Sequence, residues 1–448
     1  MKKNEKINLT INNYGCNAEG VAIFDGQVVF VPYALVDENI DATIIKQTSK
    51  VCLAKIDNIK KQSKERIAPL CPYFSKCGGC QLQHTNYENA LKIKTEIVQN
   101  AISKIGKINF EVSPCIASEN TFHYRNKISM PINPKTKSLG MYRPESHHII
   151  DITNCPLQKE KINKLIQIFN NYLKKTKNSI YNEETKNGLL KSLVAREINN
   201  SLLVTVVING QKLNDSDILW DMLNQNFENV GLSINKNLLK NNVILTEEFE
   251  HLFGIKNAEI CENGIKYCIN NQSFLQINDQ IKHKIYDKIF EEIQNEIVVD
   301  AYSGAGLLSA MIAKHAEKVY GIEIIKEATK AADTLANKNN ISNLVNINGD
   351  CTQELPKLLA TLSKAEKQNL TIVLDPPRKG CDKKVVDAII NAQPNKIVYL
   401  SCDPSTLARD LNIISQSNLY DIKSIQPYDM FPQTKHVETL LILTKKRL

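Results

Sequence analysis

A cysteine in the C-terminal third of the chain stands where an apolar segment gives way to a helix start. Cys402 comes after the apolar residues 397–400 and just before Pro404, a residue common in the first turn of a helix. The pattern predicts a strand that ends at Cys402 and a helix that begins beyond it. We expect the helix N-terminus to favour the thiolate and make it available as a nucleophile. The alternative is a small side chain that only fills space in the core.

Two carboxylates stand at the ends of other apolar segments. Asp375 follows the apolar residues 371–374, and the two prolines after it force the chain out of the predicted strand. Glu438 opens the apolar segment 439–443. A single carboxylate in such a place is usually a surface charge. With Cys402, however, the set supplies a nucleophile, a fixed acid and a base, which is more than a hydrophobic core requires.

A series of strand ends suited to a ligand precedes these residues. An apolar strand is predicted to enter a turn with Gly304 and Gly306, where glycine lets the backbone approach a ligand closely. Two further strands are predicted to end at Glu323, which suits a ribose diol, and at Asp350. The pattern indicates an α/β domain. Residues 307–309 provide no third glycine, so a dinucleotide is disfavoured.

A group of cysteines near residue 75 has the spacing of a metal or cluster site. Cys71 and Cys77 are separated by five residues, and Cys77 and Cys80 by two glycines. The glycines let the backbone fold closely around a bound group, and packing does not explain the pattern. Cys155, which precedes a proline, is the candidate for a fourth ligand. Four thiolates suit zinc and a cubane iron–sulfur cluster alike, and the spacing leaves both open.

The N-terminal segment predicts a small β-barrel. Residues 7–59 contain short β segments broken by glycine and proline, and Phe-Asp-Gly-Gln at 24–27 predicts a tight hairpin turn. A five-stranded barrel of the oligonucleotide-binding (OB) type fits this pattern. Such barrels bind single strands, although a barrel that only packs against its neighbour would have the same pattern. Beyond it the chain predicts helices at 87–106 and 159–174, and strands at 127–131, 193–198 and 202–208.

Length and composition limit the classes of protein to which this chain can belong. The 448 residues suggest two to four domains, and 42% hydrophobic and 23% charged residues are ordinary for a soluble chain. No apolar stretch is long enough to cross a bilayer, so we expect a cytoplasmic location and no membrane partner. The twelve cysteines then favour ligation or catalysis over disulfides. A net charge of +8 permits a polyanionic partner without requiring one.

Several of these segments resemble signatures of the RNA uracil-5-methyltransferase family. The resemblance is carried by Ser-Cys-Asp-Pro-Ser-Thr-Leu-Ala-Arg-Asp at 401–410, Asp-Pro-Pro-Arg-Lys-Gly at 375–380, His-Val-Glu-Thr at 436–439, Ser-Phe-Leu-Gln-Ile-Asn at 273–278 and Tyr-Arg-Asn-Lys at 124–127. Residues 18–35 resemble the TRAM module, which binds RNA. The order glycine turn, Glu, Asp, Asp-Pro-Pro is similar to that of S-adenosylmethionine-dependent methyltransferases. The resemblance covers nearly the whole chain.

The resemblance implies a reaction with covalent catalysis. Carbon-5 of uracil is a weak nucleophile, so Cys402 would add to carbon-6 and the activated carbon-5 would take the methyl group. Glu438 would then remove the carbon-5 proton, and Asp375 would hold the base or the donor. Phe274 would lie near the target base, and basic and aromatic groups at 123–127 would suit stacking and phosphate contact. The residues implied in donor binding are Gln276, Tyr302, Gly304, Gly306, Glu323, Asp350 and Asp375.

The resemblance also implies a substrate and a cluster. The TRAM segment and the four-cysteine pattern are similar to the branch that modifies 23S ribosomal RNA. That branch carries a [4Fe-4S] cluster, here implied on Cys71, Cys77, Cys80 and Cys155. The target would be a single-stranded or flipped-out uridine of 23S ribosomal RNA, and we expect the enzyme to act as a monomer.

The expected architecture has three parts. An OB-like TRAM barrel is predicted over residues 1–60 and a central α+β iron–sulfur domain over residues 61–262. A Rossmann-like class I methyltransferase domain is predicted over residues 263–448. Three alternatives remain: a tRNA uracil-5-methyltransferase, an RNA N- or O-methyltransferase, and a non-catalytic RNA-binding or ribosome assembly protein. The N- or O-methyltransferase is disfavoured, because those reactions need no thiol.

Overall fold

The computed structural model describes residues 2–48, 51–273, 275–294 and 296–446. The chain forms two compact units that alternate along the sequence. The first unit comprises Met1–Pro69, Gln81–Glu119 and Gln280–Leu448, and the second comprises Leu70–Cys80 and Asn120–Asp279. The segment with the first three cysteines therefore belongs to the second unit. Among the described residues, no helix is both long and apolar enough to span a membrane.

The first unit begins with a six-stranded sheet of order β1-β5-β6-β4-β3-β2. Its strands are β1 (Lys6–Thr10), β2 (Asn13–Tyr14), β3 (Gly20–Phe24), β4 (Gln27–Val31), β5 (Asn39–Gln47) and β6 (Cys52–Lys61). The predicted hairpin joins β3 to β4 through Asp25 and Gly26, which have φ angles of 48° and 74°. The described sheet thus has six strands where the sequence predicted five.

A long helix, α1 (Tyr87–Lys104), follows this sheet, close to the predicted range. The side chain of Asn86 caps the helix by accepting a hydrogen bond from the Asn89 backbone N–H. The apolar residues of one face, including Ile93 and Val98, are buried. One lysine, Lys94, is buried on the same helix.

The second unit contains a seven-stranded sheet of order β13-β12-β11-β10-β7-β8-β9, a β14-β15 hairpin and two helices. Its elements are β7 (Lys127–Asn133), β8 (Ser138–Tyr142), β9 (Ile149–Asp151), α2 (Glu160–Lys175), β10 (Leu190–Ile198), β11 (Ser201–Ile208), α3 (Ser216–Asn224), β12 (Val230–Lys236), β13 (Phe249–Gly254), β14 (Ala258–Glu262) and β15 (Ile265–Ile269). Apolar residues of α2 and α3 pack on one face of the larger sheet and form its core. The α2, β7, β10 and β11 predictions are confirmed to within a few residues.

The C-terminal part of the first unit is a seven-stranded sheet of order β18-β17-β16-β19-β20-β22-β21. The strands are β16 (Ile297–Ala301), β17 (Lys318–Glu323), β18 (Leu344–Asn348), β19 (Leu370–Leu374), β20 (Lys396–Ser401), β21 (Tyr420–Tyr428) and β22 (Glu438–Lys445). The helices are α4 (Asp279–Glu291), α5 (Leu307–Ile312), α6 (Lys326–Lys338), α7 (Cys351–Thr361), α8 (Lys364–Gln368), α9 (Lys383–Ala392) and α10 (Pro404–Gln416). The predicted mixed α/β fold is confirmed.

Strand direction explains where this sheet presents its polar residues. Strands β16 to β20 are parallel, and the central strands β16 and β19 are wholly buried because both faces are covered. Their carboxyl ends therefore meet at one edge, where loops carry the side chains that interrupt the apolar pattern. Strand β22 runs antiparallel between β20 and β21, so its first residue lies at that same edge.

Candidate active site

Strand pairing brings a thiol and a carboxylate close together at the carboxyl edge of the C-terminal seven-stranded sheet. We call this sheet, β18-β17-β16-β19-β20-β22-β21, the catalytic sheet. In the antiparallel ladder of β20 and β22, Ser401 is paired with Thr439. The ladder ends at this pair, and Cys402 follows Ser401 while Glu438 precedes Thr439, so both lie just beyond it. The charge of Glu438 acts on the Cys402 thiol, which agrees with this closeness. Two segments far apart in sequence thus meet at the predicted nucleophile and the predicted base.

The environment of Cys402 differs from the sequence expectation. Asp403 caps α10 by accepting hydrogen bonds from the backbone N–H groups of Ser405 (2.9 Å) and Thr406 (3.2 Å). Burial, followed by the charge of Glu438, nevertheless raises the pKa of Cys402 to about 11, although Arg378 acts in the opposite sense. The prediction that the helix N-terminus favours the thiolate is therefore wrong. Burial and a neighbouring anion outweigh the helix N-terminus.

Glu438 is held in a form suited to proton transfer. Its side chain is 4% exposed. Burial, followed by the charge of Asp375, raises the pKa of Glu438 to about 8, while Arg378 lowers it. A carboxyl group with a pKa near neutrality can both accept and release a proton at physiological pH.

Asp375 follows β19, the neighbour of β20, as predicted from the double proline after it. Burial raises the pKa of Asp375 to about 7, even though part of the residue still reaches solvent. The loop beyond it is fixed by Asp410 of α10, which accepts hydrogen bonds from the Cys381 backbone N–H (2.8 Å) and the Tyr399 hydroxyl (2.7 Å). The β19 loop and the helix after Cys402 are therefore braced against each other.

The glycine turn after β16 has a backbone that leaves room for a ligand. Tyr302, Gly304 and Gly306 have φ angles of 71°, 57° and 77°. A side chain at Gly304 would meet no atom within 4 Å, whereas one at Gly306 would strike Ala332 of α6. Gly304 thus borders open space, and Gly306 serves the packing of the turn against a helix.

Glu323 connects this turn to the next strand. It ends β17, and its carboxylate accepts hydrogen bonds from the backbone N–H groups of Gly304 (3.0 Å) and Ile325 (2.8 Å). Each carboxylate oxygen still has a lone pair that a hydroxyl donor could use. Asp350, by contrast, is exposed and caps α7 by accepting a hydrogen bond from the Thr352 backbone N–H at 2.8 Å. Hydrogen bonds from Thr352 lower the pKa of Asp350.

Sequence reasoning missed two charged residues of this edge. Asp300 lies in β16, is 1% exposed, and has a pKa raised to about 7 by burial and by Asp375, although the Ser309 hydroxyl donates to it at 2.5 Å. A carboxylate inside an apolar strand was the available signal. Arg378 was quoted within the Asp-Pro-Pro-Arg segment but given no role. Its charge favours the ionised forms of both Cys402 and Glu438.

A cleft of about 770 Å³ opens from Cys402. Its walls come from the start of α10, from α1, and from the N-terminal sheet. The lining includes the cations Arg378, Lys104 and Lys435 and the apolar side chains Ile23 and Phe30. Ile23 is 69% exposed, so its side chain is accessible from the cleft. Cationic and apolar groups along one cleft suit the phosphates and bases of a single-stranded nucleic acid.

The predicted cluster ligands belong to the second unit. Burial raises the pKa of Cys77 and of Cys155. The charge of Cys71 raises both values further, and the charge of Cys77 also raises that of Cys155. These three sulfurs therefore lie within electrostatic range of one another. The Gly79 backbone N–H donates to the Cys77 sulfur at 3.4 Å. Within the described residues, however, no group of three or more His, Cys, Asp or Glu side chains is arranged to hold a metal ion.

The remaining predicted residues are also in the second unit. Gln276 is partly buried, and its backbone carbonyl accepts a hydrogen bond from the Asn126 side chain at 2.9 Å. Phe274 lies outside the described residues. Tyr124 is only 5% exposed, so the expectation that it offers a stacking surface is wrong: its ring belongs to the interior. Arg125, beside it, is partly exposed.

Comparison with known proteins agrees with this arrangement. The model of the family described as tRNA (Uracil-5-)-methyltransferase matches residues 86–446. An uncharacterized RNA methyltransferase of Clostridium tetani is 36% identical over 99% of this chain and 97% of its own length. Another, from Listeria innocua, is 35% identical over 100% of this chain and 99% of its own length.

One solved structure is similar over almost the entire chain. It is the tRNA (uracil-54, C5)-methyltransferase of Pyrococcus abyssi in complex with S-adenosyl-L-homocysteine. The TM-score is 0.79 at 25% sequence identity, and the match covers 98% of this chain and 99% of that one.

Proposed function

The chain belongs to the RNA uracil-5-methyltransferase family, and we propose that it methylates carbon-5 of a specific uridine in 23S ribosomal RNA. The observation that carries the chemistry is the closeness of Cys402 and Glu438, which lie just beyond the last β20–β22 pair, Ser401 and Thr439. The charge of Glu438 raises the pKa of Cys402, and Cys402 lines the cleft. A thiol and a base at the ends of two adjacent strands are what methylation at a pyrimidine carbon requires, because that carbon must first be activated.

S-adenosylmethionine is the methyl donor of this family, and the solved relative binds the demethylated product of that donor. The residues that would hold it here are Gln276, Tyr302, Gly304, Gly306, Glu323, Asp350 and Asp375. The open space beside Gly304 and the carboxylate of Glu323 fit a ribose near the glycine turn. When bound, the donor supplies an electrophilic methyl group on a sulfonium.

Covalent attack by Cys402 is the first step of the proposed mechanism. The thiol loses its proton to solvent in the cleft, and the resulting thiolate forms a bond to carbon-6 of uracil. The carbon-5 to carbon-6 double bond opens and its electrons move to give an enolate, which makes carbon-5 nucleophilic. Arg378 favours the thiolate, which opposes the effect of burial. Carbon-5 would then take the methyl group from the donor; the electrons of the broken sulfur–methyl bond would stay on sulfur, and S-adenosylhomocysteine would leave.

Glu438 completes the reaction. Its carboxylate takes the proton from carbon-5, the electrons of that bond restore the double bond to carbon-6, and the carbon–sulfur bond breaks to release Cys402 as thiolate. Glu438 then returns its proton to solvent. A base placed in this way contributes on the order of 10²- to 10⁴-fold to a rate. Asp375, beside both residues, would accept a hydrogen bond from uracil N3–H.

The cleft is the proposed path of the RNA. A uracil paired in a helix hides its carbon-6, so the target would be single-stranded or flipped out. With the base at Cys402, the neighbouring nucleotides would run between α1 and the N-terminal sheet, where Lys104 and Lys435 face phosphates and Phe30 faces a base. This agrees with the TRAM-like sequence of residues 18–35.

Ribosomal RNA is preferred as substrate because of the TRAM-like segment and the four cysteines. We propose a [4Fe-4S] cluster on Cys71, Cys77, Cys80 and Cys155. Supporting it are the mutual electrostatic effect of three of these thiols and the N–H donated to the Cys77 sulfur, an interaction common around clusters. We assign the cluster a structural role, so no catalytic step passes through it.

A tRNA substrate is the second candidate, favoured by the similarity to the tRNA (uracil-54, C5)-methyltransferase over the entire chain. Mapping of 5-methyluridine in total ribosomal and transfer RNA from cells with and without the protein separates the two. Loss of one 5-methyluridine from 23S ribosomal RNA supports the proposal. Loss confined to transfer RNA supports the second candidate, and an unchanged map rejects both.

A further inference from the structure

Helix α1 carries a buried lysine whose ammonium donates hydrogen bonds to one loop of the catalytic sheet. Lys94 is 0% exposed. Its ammonium donates to the Asp429 carboxylate (2.5 Å), to the Phe431 carbonyl (3.0 Å) and to the His436 carbonyl (2.7 Å). An ammonium has three donor hydrogens, so this one is fully satisfied. All three acceptors lie in residues 429–437, which form the β21–β22 loop.

The partner carboxylate is also fully engaged. The second oxygen of Asp429 accepts a hydrogen bond from the hydroxyl of Tyr87, the first residue of α1, at 2.9 Å. Burial and the charge of Asp429 raise the pKa of Tyr87, so the phenol keeps the proton that it donates. The Asp429 backbone N–H donates to the Ile116 carbonyl at 2.9 Å. The start of the loop is thereby fixed to α1 at two points.

The end of the loop leads directly to the catalytic base. His436, whose carbonyl accepts from Lys94, is separated from Glu438 by Val437 alone. The middle of the loop is held separately, because the Gln433 carbonyl accepts hydrogen bonds from the backbone N–H groups of Gln81 and Leu82. The strand pairing of Tyr428 with Glu438 and a ring contact between Phe431 and His436 also hold the loop ends together. The Lys94 ammonium adds a buried charged link, which joins Asp429 at the start of the loop to His436 near its end.

We propose that Lys94 is a positioning residue for Glu438 that acts through the β21–β22 loop. This rests on the proposed function of Glu438 as the base that resolves the covalent intermediate. Cys402 follows β20 and is fixed by its own helix cap, so loss of Lys94 affects the step that uses Glu438 more than the attack by Cys402. Proton transfer depends steeply on the distance between base and carbon-5.

Three variants test the proposal. Lys94→Met removes the ammonium but leaves Asp429 buried without its partner, which destabilises the fold. The double variant Lys94→Met with Asp429→Asn removes that unpaired charge while the link between the loop ends stays broken. Lys92→Met is the matched control, since Lys92 lies on the same helix with an exposed side chain.

The measurement is rapid-quench kinetics of each protein with a uridine-containing RNA and S-adenosylmethionine. It follows the covalent protein–RNA species on denaturing gels and 5-methyluridine by mass spectrometry. We expect resolution of the covalent species to slow by at least about tenfold in the double variant, so that this species accumulates. Its formation should stay within about threefold of the unmodified protein, and Lys92→Met should match the unmodified protein in both steps.

Two outcomes overturn the inference. Resolution at the original rate in the folded double variant removes Lys94 from any positioning role. An equal loss in formation and resolution assigns Lys94 to general stability. The unmodified protein measured in parallel distinguishes these from failure of the proposed function, in which it would give neither the covalent species nor 5-methyluridine.

Discussion

The carboxyl edge of the catalytic sheet and the four-cysteine set of the second unit bring reactive groups together in different ways. At the sheet edge, Cys402, Glu438 and Asp375 stand on adjacent strands, and the hydrogen-bond register fixes which side chains are neighbours. The cysteines lie outside the helices and strands, and the charges of Cys71 and Cys77 act on the Cys155 thiol. Side chains on regular strands are positioned more precisely than side chains in loops.

The largest expected effect is at the sheet edge. Cys402→Ala should abolish 5-methyluridine formation, with a loss of at least about 10³-fold, because no other group supplies the covalent step. Cys268→Ala is the control, since Cys268 is an exposed cysteine that does not line the cleft. Mass spectrometry of the RNA product measures both. Substantial methylation by Cys402→Ala would contradict the covalent mechanism.

The second effect separates the two halves of the catalytic pair. Glu438→Gln should reduce turnover by roughly 10²-fold or more, and the covalent protein–RNA species should accumulate, because attack still occurs but the carbon-5 proton remains. Denaturing gels measure the accumulated species. Glu111→Gln, at an exposed position, is the control. If turnover fell with no accumulation, Glu438 would act at or before the attack.

A smaller effect on catalysis is expected from the cysteine set. If the proposed cluster is present and structural, Cys155→Ser should remove iron from the purified protein and lower its melting temperature, while methylation falls far less than in Cys402→Ala. Cys261→Ser, an exposed cysteine of the same unit, should change neither. Iron content, thermal melts and methylation are measured together. Unchanged iron content in Cys155→Ser would remove this residue from the ligand set.

The smallest expected effect on catalysis-related behaviour is a loss of folding stability caused by burial of the Glu438 carboxyl. Because burial raises the pKa of Glu438 from its ordinary value of 4.5 to about 8, the native state retains a proton that the unfolded chain loses between these pH values. Stability from this group therefore falls as pH rises from about 4.5 to 8. Glu438→Gln removes the contribution of this group to that slope. The variant should be more stable than the unmodified protein above pH 8, by an amount on the order of 5 kcal/mol.

Denaturant melts at pH 5 and pH 9 check this prediction. The difference in unfolding free energy between Glu438→Gln and the unmodified protein should grow with pH. In Glu111→Gln it should not change. A difference that stays constant between the two pH values would show that the Glu438 carboxyl is not perturbed by burial, and the contrast with the cysteine set would weaken.

Much of the catalytic sheet was predictable because apolar segments and chain-breaking residues are local signals. The strand ends at Asp375 and Glu438 follow from apolar runs beside proline or a charge. The state of the Cys402 thiol was not predictable, because the groups that raise its pKa come from strands distant in sequence. The same holds for Tyr124, whose neighbouring basic residues suggested an exposed surface, whereas tertiary packing buries the ring.

Sequence-based prediction also fails for residues whose interaction partners are distant in sequence. Asp300 looked like part of an apolar strand, and only the folded sheet brings it near Asp375. Lys94 is one of three lysines of α1, and its three acceptors lie more than 300 residues away in sequence. Periodicity predicts which face of a helix is buried, but it does not identify the partner of a charge on that face.

The most direct test is to trap the bond between the protein and its substrate. RNA with 5-fluorouridine at the target position lacks the proton that Glu438 removes, so the reaction should stop at the covalent species after methyl transfer. Peptide mass spectrometry should then find the methylated fluorouridine nucleotide attached to the peptide with Cys402. Attachment at another residue, or methyl transfer without any covalent species, would contradict the account.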